Sequence, residues 1–263
     1  MDFGLREKSA LITAASSGLG KATALEMARE GARIALNARS PEALQDAAQE
    51  IRDATGAEVL PVPGDVSREA DVRRIVREAV SRFGGLDILV ANAGGPPAGS
   101  FEDFTIDDYR AAVELNLFST INLCREAVPQ MKMRGWGRIV SVTSIAAKQP
   151  IGNLILSNTS RAGVLGFAKS LSIDVAPFGI TVNTICPGYH LTERLKRLAE
   201  QTALKEGLPV EEIQSRWSAE TAMKRLGRPE EFAAVVTFLC SEQASYITGT
   251  VTQIDGGLYK ALF

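Results

Sequence analysis

Short apolar runs alternate with longer stretches of helical period along almost the whole chain. Ala10–Thr13 is the first strand-like run, and a pattern of helical period opens at Leu19-Gly20 and continues through Ala22, Leu25, Met27 and Ala28. Arg33–Asn37 reads as the second strand, followed by a helix from Pro41 with Ser40 as its N-cap and proline at its first position. Glu58–Val62 is the third strand, ending near Asp65, and the helix from Ser67 to Phe83 turns Val72, Ile75, Val76, Ala79 and Val80 inward. Leu86–Ala91 is apolar nearly throughout, as a parallel strand covered on both faces requires. A helix over Ile106–Arg134 leads to the strand Arg138–Thr143, and one over Leu154–Ala176 leads to Thr181–Cys186. The helix Pro229–Leu239 and the strand Val251–Ile254 complete the series. Such alternation predicts an α/β fold: one domain over residues 1–263, a doubly wound parallel sheet in three layers, α-β-α. Ligands of such sheets bind beyond the carboxyl ends of the strands.

One segment breaks the rhythm. Tyr189–Leu226 is rich in charge, with amphipathic pieces at Leu191–Leu204 and Val210–Met223, and it leaves the carboxyl end of a strand. That position predicts a lid over the crevice rather than a solvated insertion. Composition narrows the rest. A net charge of -2 disfavours a nucleic-acid partner, which calls for a basic face. No apolar run reaches bilayer length, and the first residues lack a signal-peptide core. Cys124, Cys186 and Cys240 are odd in number and lack metal-ligand spacing, so they read as buried thiols of a reducing compartment. The expectation is a cytoplasmic protein with no metal, no membrane and no nucleic acid.

The candidate chemistry starts at the first turn. Thr13-Ala14-Ala15-Ser16-Ser17-Gly18 joins a strand to a helix opening at Leu19-Gly20. The unpaired first-turn N–H groups and the positive end of the helix dipole make an anion site, and small residues let a pyrophosphate approach. Strand, turn and helix are the context that such a motif needs.

Further motifs fall in order behind this turn, and together they resemble the short-chain dehydrogenase/reductase family over essentially the whole chain. The likeness is nearest its 3-oxoacyl-carrier-protein reductase-like members. Thr13–Gly20 resembles the family's TGxxxGxG turn, with Ala14 at the first glycine; Asp65-Val66 sits where the family holds the adenine. Asn92-Ala93-Gly94 resembles its NAG motif, Asn116 its helix asparagine, Ser144 its catalytic serine. Pro187-Gly188 with Thr192 resembles the PGxxxT element beside the nicotinamide, and Asp255-Gly256-Gly257 the DGG near the C-terminus. The resemblance implies a Rossmann-like fold, a carbonyl/alcohol substrate, a nicotinamide cofactor and a homodimer or homotetramer built through the two long helices.

The family's Tyr-x-x-x-Lys is absent: Ser157 stands at the tyrosine and Arg161 at the lysine, in LSNTSRAGVLGFAKSLS. Tyr109, Tyr189, Tyr246 and Tyr259 all lack a lysine four residues on. A serine hydroxyl is a far weaker acid than a phenol, and an arginine stays protonated, so the usual proton shuttle is lost. Arg161 keeps the charge and donors to hold ribose hydroxyls. Tyr189 and His190, directly after Pro187-Gly188, are the candidate replacement acids, with Ser144 orienting the carbonyl. The rival expectation is a catalytically silent NADP(H)-binding sensor or partner subunit. At the end of the second strand, Asn37-Ala38-Arg39 carries no acid to hold the ribose of NAD and offers a guanidinium to a 2′-phosphate. NADP(H) is therefore expected, with NAD(H) as the alternative.

Overall fold

In the computed structural model, residues 2–262 are described; Met1 and Phe263, the outer limits of the 1–263 reading, lie outside the described residues. The strands are β1 (Ser9–Ile12), β2 (Arg33–Ala38), β3 (Val59–Pro63), β4 (Ile88–Ala91), β5 (Gly137–Val142), β6 (Ile180–Pro187) and β7 (Val251–Ile254). They form one sheet in the order β3-β2-β1-β4-β5-β6-β7. Every pairing is parallel. Direction of winding reverses between β1 and β4, which opens the crevice at their carboxyl ends.

Period-two alternation sends the two faces of each strand into different layers. Ala10 and Ile12 enter one core with α1 (Gly18–Arg29), α2 (Pro41–Thr55) and α9 (Pro229–Leu239), where Met27, Leu44, Ile51, Phe232 and Val236 are buried. Leu11 and Leu89 enter the other, with α3 (Glu69–Phe83), α5 (Ser119–Arg134) and α6 (Ile155–Val175). The two long helices therefore share a face of the sheet. All three cysteines are free and buried.

Two sequence expectations need correction. The single helix over Ile106–Arg134 is instead α4 (Ile106–Val113) and α5, joined by a wide π turn over Glu114–Phe118. The turn carries the buried Asn116, whose side chain is held on both sides by other elements; a widened turn is how a helix gives such a side chain room. Of the two amphipathic pieces after β6, the first is shifted by two residues, to α7 (Glu193–Glu206), and the second starts as expected but ends three residues earlier, as α8 (Val210–Glu220). These two helices pack on each other around Ala199, Ala203 and Ile213, a small cluster apart from the two main cores.

Candidate active site

The first turn is built as a cradle. Thr13 Oγ1 donates to Asn92 O (2.6 Å) and accepts from Asn92 N (2.8 Å), tying the end of β1 to the end of β4. Ala15 N donates to Asn37 O (2.9 Å), tying it to β2. Ala14 lies in the left-handed region at φ 48, where the family turn has glycine. A Cβ on Gly20 would lie 2.5 Å from Ala14 O, so only glycine lets α1 start this close to the turn. No side chain caps α1 at Ser17, which leaves its N-terminal N–H groups facing the crevice beside Ser16, Ser17, Gly18 and Leu19. Across the turn, Thr192 approaches Gly18 to 3.4 Å of its ideal Cβ. A narrow slot with free N–H donors, no side-chain bulk and Thr192 opposite fits a pyrophosphate.

At the outer end of the crevice, Ala38 is buried and Arg39 is exposed, with no ion pair among the described residues. Asn37 is buried and spends its amide on Val62 O (2.9 Å) and Gly64 O (3.1 Å), locking β2 to the turn after β3 beneath the binding surface. Asp65 Oδ1 accepts from Ser67 N (3.0 Å) and Ser67 Oγ (2.8 Å), which fixes the turn that presents it with the buried Val66.

At the inner end, α6 brings Ser157, Ser160 and Arg161 to one buried face, because residues three and four apart share a side of a helix. The Ser160 O–H is shared between Leu156 O (2.7 Å) and Asn116 Oδ1 (3.0 Å), and Asn116 Nδ2 donates to Gly94 O (3.1 Å). Arg161 reaches between the ends of β4 and β5. Its Nη1 donates to Thr143 O (2.8 Å) and Val142 O (3.3 Å), and its Nη2 to Ala93 O (3.3 Å) and Gly94 O (3.4 Å). Burial, with the Arg194 charge added, pushes its pKa down to about 10. Even so, the group remains a cation at neutral pH. The guanidinium is committed to the backbone of two strands, where the family's lysine position was expected to serve the ribose. Ser157 is buried and makes no side-chain hydrogen bond to the described residues.

Ser144 Oγ accepts from Ala146 N (3.1 Å), which leaves its O–H free to donate toward a substrate oxygen. Thr143 below it donates to Ile185 O (3.0 Å) and touches Cys186 Sγ (3.2 Å), joining β5 to β6. Pro187 ends β6, and Gly188 passes so near Asp255 that an added Cβ would stand 2.8 Å from its Cα. The two candidate acids then part company. Tyr189 stacks on Trp217 of α8 (5.1 Å, 14°), and burial, reinforced by the Glu220 carboxylate that its phenol contacts, pushes it up to about 12. His190 turns to the α9 side, edge-on to Phe232 (5.8 Å) and against Gly227, with Nδ1 3.2 Å from Gly188 O. Burial lowers its pKa and keeps it neutral.

Sequence reading missed two residues of this site. Ser160 orients Asn116, a contact across 44 residues that no local pattern announces. Arg194 extends from α7 to donate to Pro96 O (3.0 Å); a cation two residues after Thr192 was its only signal.

Comparison with known proteins agrees with this architecture. Residues 13–259 match a family model described as enoyl-(acyl carrier protein) reductase. A D-β-hydroxybutyrate dehydrogenase of Cupriavidus necator is 36% identical over 256 residues, covering 96% of this chain and 98% of the relative. A 3-oxoacyl-[acyl-carrier-protein] reductase of Aquifex aeolicus is 31% identical over 259 residues, covering 98% of this chain and 100% of the relative. Among solved structures, L-sorbose reductase of Gluconobacter frateurii, complexed with NADPH and L-sorbose, superposes with a TM-score of 0.95 at 36% identity over 100% of both chains. The chain belongs to the short-chain dehydrogenase/reductase family of nicotinamide-dependent oxidoreductases.

Proposed function

We propose that this chain is an NADP(H)-dependent oxidoreductase that interconverts a carbonyl and an alcohol, a reductase of the 3-oxoacyl type with an atypical proton donor. The observation that carries the reading is the intact brace behind the substituted position: Ser160, Asn116, Gly94 and Arg161 remain joined. Asn116 and Arg161 stand at positions that the family resemblance assigns to catalysis, and the brace keeps them at the inner end of the crevice. The cradle of Ala15–Gly20 fits the pyrophosphate, Arg39 the 2′-phosphate, and Asp65 with Val66 the adenine edge. Asn92, Ala93, Gly94, Pro187, Gly188 and Thr192 line the inner half, and the 189–226 segment covers it as a lid. Bound there, the nicotinamide supplies the hydride. Ser144 orients the carbonyl through its free O–H, and Arg161 holds the ends of β4 and β5 at fixed spacing.

Of the two candidate acids we take Tyr189 as the donor, because His190 packs against Phe232 while Tyr189 stacks on Trp217. A phenol held near 12 is still acidic enough to protonate an alkoxide, but it is not ionised at neutral pH and cannot act as base. His190, faced toward Phe232, serves packing instead. Tyr189→Phe should lower kcat by about two orders of magnitude while leaving the Kd for NADPH unchanged. Full turnover in that variant removes Tyr189 from the mechanism. One feature favours the silent-binder alternative, namely that Ser157 puts no phenol at the family's tyrosine position; absence of turnover across a broad carbonyl panel would select it.

Self-association is part of the proposal. Met133 on α5 and Ile173 on α6 are 75% and 67% exposed on the helical layer that the family resemblance assigns to subunit contact.

A further inference from the structure

We infer that the cleft takes a substrate bearing a carboxylate, and that Arg194 is the side chain that reads it. This inference rests on the NADP(H) and carbonyl/alcohol reading above and narrows the substrate to a free acid rather than a thioester-bound 3-oxoacyl group. Arg194 lies in the first turn of α7, whose Leu195 N–H is capped by Thr192 Oγ1 at 3.2 Å. Its side chain leaves the lid and lies across the loop that follows β4, where Nη2 donates to Pro96 O at 3.0 Å. The same loop is gripped from α6 by Arg161, through Ala93 O and Gly94 O. Gly95 stands between the two grips. A Cβ on it would lie 2.7 Å from Arg194 Nη2, so the glycine gives the guanidinium its place.

Some arginines of the chain meet a carboxylate and others, Arg39 and Arg138 among them, meet none among the described residues. Arg73, Arg74, Arg82, Arg134, Arg216 and Arg225 each meet a carboxylate. Neither Arg161 nor Arg194 meets one among the described residues. The acids near the crevice are engaged elsewhere: Glu220 with the Tyr189 phenol, and Asp255 with Gly257 N (2.9 Å) and Tyr259 N (2.8 Å). Arg161 gives both terminal nitrogens to backbone carbonyls and adds its charge to the site. Arg194 spends one N–H on the protein and keeps the rest of its planar fork, which matches a carboxylate with two parallel hydrogen bonds. Two cations facing one loop, with no internal counter-ion, focus positive potential at the mouth of the site.

The cofactor pyrophosphate offers the same anionic oxygens, so the test separates the two sources. Protein loaded with NADPH is titrated calorimetrically with 3-hydroxybutyrate and 3-hydroxyhexanoate, and with the amide of each. The acids should bind on the order of tenfold more tightly than the amides. Arg194→Gln should bring the acids down to the level of the amides, with the Kd for NADPH changed by less than about twofold. Arg194→Lys should keep part of the preference, which separates lost charge from lost folding. Equal binding of acids and amides, or no binding of the acids by NADPH-loaded protein, overturns the inference. So does an Arg194→Gln variant that loses NADPH affinity while keeping the preference for acids, since the arginine then serves the pyrophosphate. Failure of the unmodified protein to bind NADPH is a different result and refutes the cofactor reading itself.

Discussion

Replacing Arg161 by methionine tests the most specific structural claim about the altered motif. The guanidinium makes one short charge-assisted bond, to Thr143 O at 2.8 Å, and three long ones at 3.3–3.4 Å. A hydrogen bond to a charged group contributes about 1.5–3 kcal/mol net, and the three long ones together about as much again. Methionine recovers the cost of burying the charge and fills most of the volume, which offsets part of that loss. The expected net destabilisation is about 3 kcal/mol, in the range found when one partner of a buried charged contact is removed. For a chain of this size that lowers Tm by about 6–12 °C. Urea unfolding without nucleotide measures it directly, as a fall in midpoint at constant m. Arg161→Lys should fall between, because one ammonium cannot span carbonyls on both strands. A loss below about 1 kcal/mol in the methionine variant would refute the brace, since it would mean that those carbonyls do not depend on the arginine.

Three further outcomes follow from the same geometry. Arg39→Asp should shift the ratio of NADH to NADPH affinity by about tenfold or more toward NADH, read by nucleotide fluorescence, because it trades a phosphate ligand for a group that repels phosphate. Ala14→Gly should stabilise the protein by about 0.5–1 kcal/mol in urea, since relief of the left-handed alanine slightly exceeds the added entropy of the unfolded glycine. His190 binds its proton less readily folded than unfolded, so the unfolded chain gains protons first as pH falls below about 6.5. Stability should therefore decline from that pH downward until the lowered folded pKa is reached, by at most about 1.4 kcal/mol per unit, and His190→Gln should remove that part of the slope.

Much of this was readable in the chain because the signals are local. Apolar runs such as LDILVA need both faces covered, and the turn before Gly20 needs small residues; both requirements are written in adjacent positions. The crevice was expected at the carboxyl ends of a doubly wound sheet, and Asn116, Ser144, Ser157 and Arg161 were placed by the family resemblance. What was not readable depends on distant contacts. The Asn116 amide in the π turn is held by Ser160 and Gly94 O, and neither lies near it in sequence. His190 reads as a candidate acid from its neighbours Pro187-Gly188, yet Gly227 and Phe232 decide which way it faces. Arg161 could be assigned a charge from sequence, but its four acceptors belong to strand ends that only the sheet brings together. Arg194 carries no periodicity at all, and its contact with Pro96 depends on where the lid rests.

The most direct test of the central claim is titration of the purified protein with NADPH and with NADH, followed by a carbonyl panel monitored for loss of the nicotinamide signal. The account predicts preferential NADPH binding and turnover of at least one carbonyl compound. Binding of neither nucleotide would contradict it and leave only the fold.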